Sequence, residues 1–245
     1  MLIPILEFIS VLTLAVLPQV LVSFYPDEMR HLLGKLPGNW RLLSTLPSRI
    51  GVILLVLYIS ASRLDEFHSI GLNFREARSP ITLLAAGFLT VYLLLIFIFS
   101  NLRSKKVKEE ITNIQQRTLA ILQYSNSAGF WQRLFYFVDL WLAVIGEELV
   151  YRGYLILLLG RQTGSFTPWI IFSIALSIVI HLYQGRTWRL ALGQMILAIL
   201  FILAVMVTKS LFAALIPHLV YNTVWLMRAL GNTPGVDTAR SEGTS

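Results

Sequence analysis

The sequence predicts an all-α fold, a polytopic transmembrane bundle of seven or eight helices with an amphipathic helix on its cytoplasmic side. Three observations carry this. Hydrophobic residues make up 56% of the 245 positions and charged residues only 13%, about half the charge fraction of a soluble domain. Seven apolar stretches match, or nearly match, the roughly 20 helical residues that cross a bilayer. Nothing alternates with period two, as the strands of a membrane barrel must.

The stretches run Leu2–Phe24, Leu46–Ser62, Pro80–Ser100, Leu134–Gly160, Thr167–Tyr183, Trp188–Val207 and Ser210–Leu230. The second and fifth are short. The fourth is long enough to tilt, or to be two half-helices meeting near Gly146, which would give an eighth span. Between them, Tyr25–Thr45 reads as a loop punctuated by Pro26, Gly34, Pro37 and Gly38. Asn101–Gln132 is polar, with Val107, Ile111, Ile114, Thr118, Ile121 and Leu122 at helical spacing beside Lys105, Lys106 and Lys108. That pattern suits either a helix lying on an anionic leaflet or a solvated connector. Residues 1–230 form a single integral-membrane domain on this reading, and 231–245, rich in Gly, Pro, Ser and Thr, a disordered tail.

Charge sets the expected orientation. No Lys or Arg precedes Arg30, so the first stretch lacks the basic start of a signal peptide and reads as a retained helix. With seven spans and the N-terminus outside, fourteen of the 20 Lys and Arg residues fall on the cytoplasmic side, among them Arg30, Arg49, Lys105 and Arg133. Five fall opposite, and Arg152 stays within the bilayer. This obeys the positive-inside rule for an inner or equivalent membrane. The formal charge of +7 is thereby accounted for by topology, and no basic soluble face remains for nucleic acid. There is no cysteine, which excludes disulfides, thiol nucleophiles and thiolate metal sites.

Against this background Glu147-Glu148-Leu149-Val150-Tyr151-Arg152-Gly153 stands out. Ionisable groups in hydrocarbon are costly unless they pair, face water or become neutral. Glu148 and Arg152 are four apart and meet on one helix face. Glu147 lies about 100° round the helix with no local cation. A buried carboxylate without a partner is pushed toward neutrality and becomes a competent base. Glu147 is therefore expected to work and Glu148 to hold. His218 and Asn222 are also four apart, and each offers an N–H to a developing oxyanion. Pro217 removes a helix hydrogen bond beside them, and the expected kink or unwinding suits a cavity wall. His181, near the end of the fifth stretch, is placed to share a water with Glu147.

These residues resemble the CAAX protease and bacteriocin-processing family of intramembrane endopeptidases, the type II CAAX prenyl endopeptidases. Glu147–Gly153 fits that family's EExxxR motif, His181 its second motif, and His218–Asn222 its HxxxN motif, in the family's order. The likeness covers about 134–230. It implies that Glu147 and His181 activate a water while His218 and Asn222 stabilise the tetrahedral oxyanion, with Glu148 and Arg152 in support. Ser177 stands where the second motif carries Phe. The resemblance implies hydrolysis of a membrane-associated or lipidated peptide or protein. The alternative keeps the scaffold without catalysis, as an assembly, stability or immunity factor bound to another membrane protein. A transporter is disfavoured by the lack of an evident inverted repeat.

No cofactor is expected. Glu147, His181 and His218 would be the set if a divalent metal were used, but the chain lacks the HExxH of the usual zinc-protease helix. Remaining polar residues have plainer readings. Asp139 shares a helix stripe with Ala143 and Glu147, and reads either as a channel residue or as an acid near a helix start. Glu7 fits a headgroup level and Gln194 an interhelical hydrogen bond. His31 and His68 sit in loops. Trp40, Trp131, Trp188 and Trp225 read as interface anchors.

Overall fold

The computed structural model describes residues 2–24, 46–64, 67–101, 129–183 and 188–231, and among them every regular element is helical. In order these are α1 (Leu2–Phe24), α2 (Leu46–Leu64), a 3₁₀ turn (Phe67–Ile70), α3 (Phe74–Ala77), α4 (Pro80–Asn101), α5 (Phe130–Glu148), a π-helix π1 (Leu149–Leu159), α6 (Gly160–Thr163), α7 (Thr167–Tyr183), α8 (Trp188–Thr208) and α9 (Phe212–Gly231). Because α5, π1 and α6 run on without a break, the described residues form seven long rods, one for each apolar stretch. The amphipathic segment, the loop at 25–45 and the tail beyond residue 231 lie outside the described residues, as do Trp40 and His31.

Local chemistry explains several boundaries. Asn73 caps α3 by accepting from the backbone N–H groups of Arg75 and Glu76 at 2.9 and 3.4 Å. Pro80 opens α4, where its missing N–H costs nothing, and the Ser79 hydroxyl accepts from the Thr82 N–H at 3.3 Å. Gly164 ends α6 in the left-handed region at φ 69°.

The long rod carries the first difference from the sequence-based expectation. It does not divide at Gly146. Instead the winding passes from α to π directly after Glu148 and stays so through Leu159. Gly146 is buried where α2 comes close, since a Cβ there would lie 3.3 Å from Val52. Every residue of π1 but Leu159 is buried, as a helix apolar on all sides must be. It is enclosed by α2, α7, α8 and the 3₁₀ turn. Gly71, just after that turn, is at φ 79° and its carbonyl accepts from Leu211 N–H at 2.9 Å. A Cβ at Gly71 would come within 2.8 Å of Leu157, so both conformation and closeness require glycine.

The periphery is oily. Leu84 and Phe88 on α4 are 73% and 69% exposed, and Ile171 on α7 is 62% exposed. Pro80–Phe99 is the one described helix long and apolar enough to cross a membrane; Ile5–Leu17, Leu46–Ser62, Thr167–Val179 and Leu192–Thr208 are shorter apolar helices. Around π1 the main core gathers Val52, Val56, Leu89, Leu155, Phe201, Val205 and Leu211. A second cluster joins α5 to α9 through Tyr136, Leu226, Ala229 and Leu230. Trp225 packs on this second cluster rather than standing free as an anchor. Trp131, 77% exposed, keeps the anchor's exposure.

Candidate active site

The site is built where α9 lies against the junction of α5 and π1. Glu148, the last α-helical residue of α5, is fully buried. Its Oε1 accepts from Arg152 Nη1 at 3.1 Å, the pair expected from the four-residue spacing. The same oxygen lies 2.7 Å from His218 Nδ1 on α9. That contact was not anticipated: the spacing rule sees partners on one helix only, and His218 is 70 residues away. With Nδ1–H donating to the carboxylate, the imidazole presents Nε2 on its other side.

Two atoms of this cluster are left over. Glu148 Oε2 and Arg152 Nε are buried without a hydrogen-bond partner among the described residues. Arg152 is compensated differently, by aromatic faces. Its guanidinium carbon is 5.8 Å from the centroid of the Tyr151 ring and 5.5 Å from that of Phe201 on α8. Phe201 also lies against His218, with ring centroids 5.3 Å apart and 32° between planes. It is a residue that sequence reasoning missed. A phenylalanine in an apolar helix gives no signal until a cation and an imidazole are found on it.

Glu147 differs from its neighbour in both respects that matter. It is half-buried, not fully buried, and makes no hydrogen bond or ion pair among the described residues. The sequence predicts a buried carboxylate without a local cation; the burial is only partial. Asn222 donates its amide to the His218 carbonyl at 3.2 Å, within α9. The amide carries two N–H groups, so a second remains available. Pro217 is buried, and α9 stays helical through it from Phe212 to Gly231, so the expected unwinding is not found. His181 is in the last turn of α7; its side chain, and hence any contact with Glu147, lies outside the described residues. The alternative metal set of Glu147, His181 and His218 falls outside with it. Ser177 is buried on α7, one turn before His181.

A second buried ion pair lies on the same rod. Asp139 Oδ1 is 2.8 Å from Arg49 Nη1 on α2, which also donates to the Asp139 carbonyl. Asp139 is 3% exposed. It is thus buried and paired across helices, and Arg49 belongs to α2 rather than to a loop. Both residues stood in apolar stretches, but 90 positions apart.

Residues 129–224 match the family model described as type II CAAX prenyl endopeptidase Rce1-like. The chain carries an Rce1-like segment. It begins at the residue before α5 and ends two residues after Asn222, so it holds Glu147, Glu148, Arg152, Phe201, His218 and Asn222, together with His181. No curated protein and no solved structure matches the chain. The Rce1-like segment leaves α1, α2 and α4 outside it. All three nonetheless pack directly on the segment's helices: α1 on α7, α2 on α5 and π1, and α4 on α9.

Proposed function

We propose that this protein is a polytopic intramembrane endopeptidase. It hydrolyses a peptide bond in a membrane-associated or lipidated peptide or protein, using water activated by Glu147 and His181. The observation that carries this reading is the division of labour between adjacent glutamates. Glu148 is fully buried and held by Arg152 and His218, while Glu147, one residue away, is partly accessible and has no partner among the described residues. A carboxylate that must take a proton from water needs both freedom and access. Glu148 has neither. Its part is to fix the His218 ring through Nδ1, leaving Nε2 for the substrate side.

In this mechanism Glu147 accepts a proton from water as the oxygen attacks the scissile carbonyl, with His181 as its partner. The second Asn222 N–H then donates to the resulting oxyanion, joined by His218 Nε2–H when both ring nitrogens of His218 carry protons. Collapse of the tetrahedral intermediate breaks the C–N bond, and the proton held by Glu147 passes to the departing amine. Removing one such oxyanion donor typically costs about 10²–10³ in rate. No metal is assigned to the Glu148–His218 pair. The Arg152 guanidinium occupies the same carboxylate oxygen, and its fixed positive charge opposes a second cation there.

The bundle is assigned to a bilayer because apolar side chains cover its outside. Leu54, Tyr58, Leu84, Phe88 and Val207 are all at least 60% exposed, and lipid is the solvent that accepts such a surface. The N-terminus is placed outside and the C-terminus in the cytoplasm on the distribution of Lys and Arg. The test is cleavage of lipidated and plain peptides by purified protein in lipid, with and without chelator. Cleavage surviving chelation and lost in Glu147→Gln supports the proposal. Cleavage abolished by chelator and restored by added metal overturns its metal-free form.

A further inference from the structure

We infer that Phe201 is a positioning residue, which holds His218 and Arg152 in the geometry that Glu148 requires of both. Three contacts carry this. The His218 ring lies 5.3 Å from Phe201, centroid to centroid, and only 32° from parallel. The Arg152 guanidinium is 5.5 Å from the same ring. Both groups meet again at a single oxygen, Glu148 Oε1, at 2.7 and 3.1 Å. Phe201 thus closes a ring of four side chains drawn from three separate rods: Glu148 and Arg152 on α5–π1, Phe201 on α8, and His218 on α9.

The physical need is specific. A single hydrogen bond at Nδ1 leaves the imidazole free to swing about its Cβ–Cγ bond, since that torsion is broad. A flat surface against the ring removes the freedom. Arg152 needs the same surface for a different reason. Its buried Nε has no hydrogen-bond partner among the described residues, and a cation so placed is stabilised by the negative face of an aromatic ring. An aliphatic side chain of similar size could fill the space but could supply neither the quadrupole nor the flat contact. Phe201 is itself only 4% exposed and sits in the main core, so it is fixed well enough to act as a template.

The test reads the imidazole directly and does not depend on catalysis. In protein labelled at its histidines, of which there are four, the His218 resonances are assigned with His218→Gln. The Nδ1–H exchange rate is then compared between wild type, Phe201→Leu, Phe201→Tyr and Val205→Ala, the last removing core packing one turn along the same helix. Phe201→Leu is expected to speed exchange at least tenfold. Phe201→Tyr, which keeps the ring, and Val205→Ala are expected to stay within threefold of wild type. A Phe201→Leu rate within threefold of wild type, or an equal rise in Val205→Ala, overturns the inference. If Phe201→Leu does not fold, the wild type still decides: magnetisation transfer between His218 and Phe201 ring protons is expected, and its absence overturns the contact itself. A kinetic arm rests on the endopeptidase reading; there Phe201→Leu should lower kcat with little change in KM. A wild type with no cleavage refutes that reading and leaves the exchange result standing.

Discussion

Two buried ionic clusters sit on one helical rod, nine residues apart, and they are built differently. At Asp139 an acid meets Arg49 from α2, which reaches both its carboxylate and its backbone carbonyl. The guanidinium is partly exposed, at 18% of the side chain. At Glu148 the acid is fully enclosed and joins three side chains rather than two. Among the described residues it leaves an oxygen and a guanidinium nitrogen unused, and a second acid, Glu147, has no partner beside it. The first arrangement ties α2 to α5. The second has spare hydrogen-bonding capacity among the described residues, which is what the proposed reaction needs and a structural tie does not.

The comparison can be broken by mutation. The largest loss of stability is expected from Glu148→Gln. It leaves the Arg152 charge buried without a counter-ion, and such unpairing costs about 3–5 kcal/mol; denaturant unfolding in detergent measures it. Asp139→Asn should cost less, about 1–3 kcal/mol, because Arg49 can turn its charge toward the surroundings when it loses the carboxylate. Cleavage by folded Asp139→Asn should remain within a few-fold of wild type, and a larger loss would move Asp139 into the reaction machinery. Asn222→Ala should shift stability by less than about 1 kcal/mol, since its bond runs to its own helix. It should nevertheless cut turnover by about 10²–10³ if its amide serves an oxyanion. Smallest in stability is Glu147→Gln, expected within about 0.5 kcal/mol of wild type, as a substitution that breaks no hydrogen bond or ion pair among the described residues.

Much of this was legible in the sequence, for identifiable reasons. All seven apolar stretches became helical rods, because a run of 17 or more apolar residues has few other ways to satisfy its backbone. The Glu148–Arg152 pair followed from helical periodicity alone. What periodicity could not supply were contacts between rods. His218 on Glu148, Arg49 on Asp139 and Phe201 beneath both Arg152 and His218 depend on how α2, α8 and α9 pack, which no spacing along the chain encodes. The winding change after Glu148 was also hidden. Gly146 suggested a break, but it proves to be a close-packing position, where a Cβ would lie 3.3 Å from Val52. Likewise Pro217 suggested unwinding, yet at the sixth position of α9 it is accommodated within a continuing helix.

The claim that Glu147 works while Glu148 holds is tested most directly by measuring cleavage and unfolding together in Glu147→Gln and Glu148→Gln, in lipid. The account expects Glu147→Gln to unfold like wild type but cleave at least 10²-fold more slowly, the ordinary contribution of a general base. It expects Glu148→Gln to unfold markedly more easily. Wild-type cleavage by Glu147→Gln, with activity lost in a Glu148→Gln protein of undiminished stability, would reverse the two roles and contradict it.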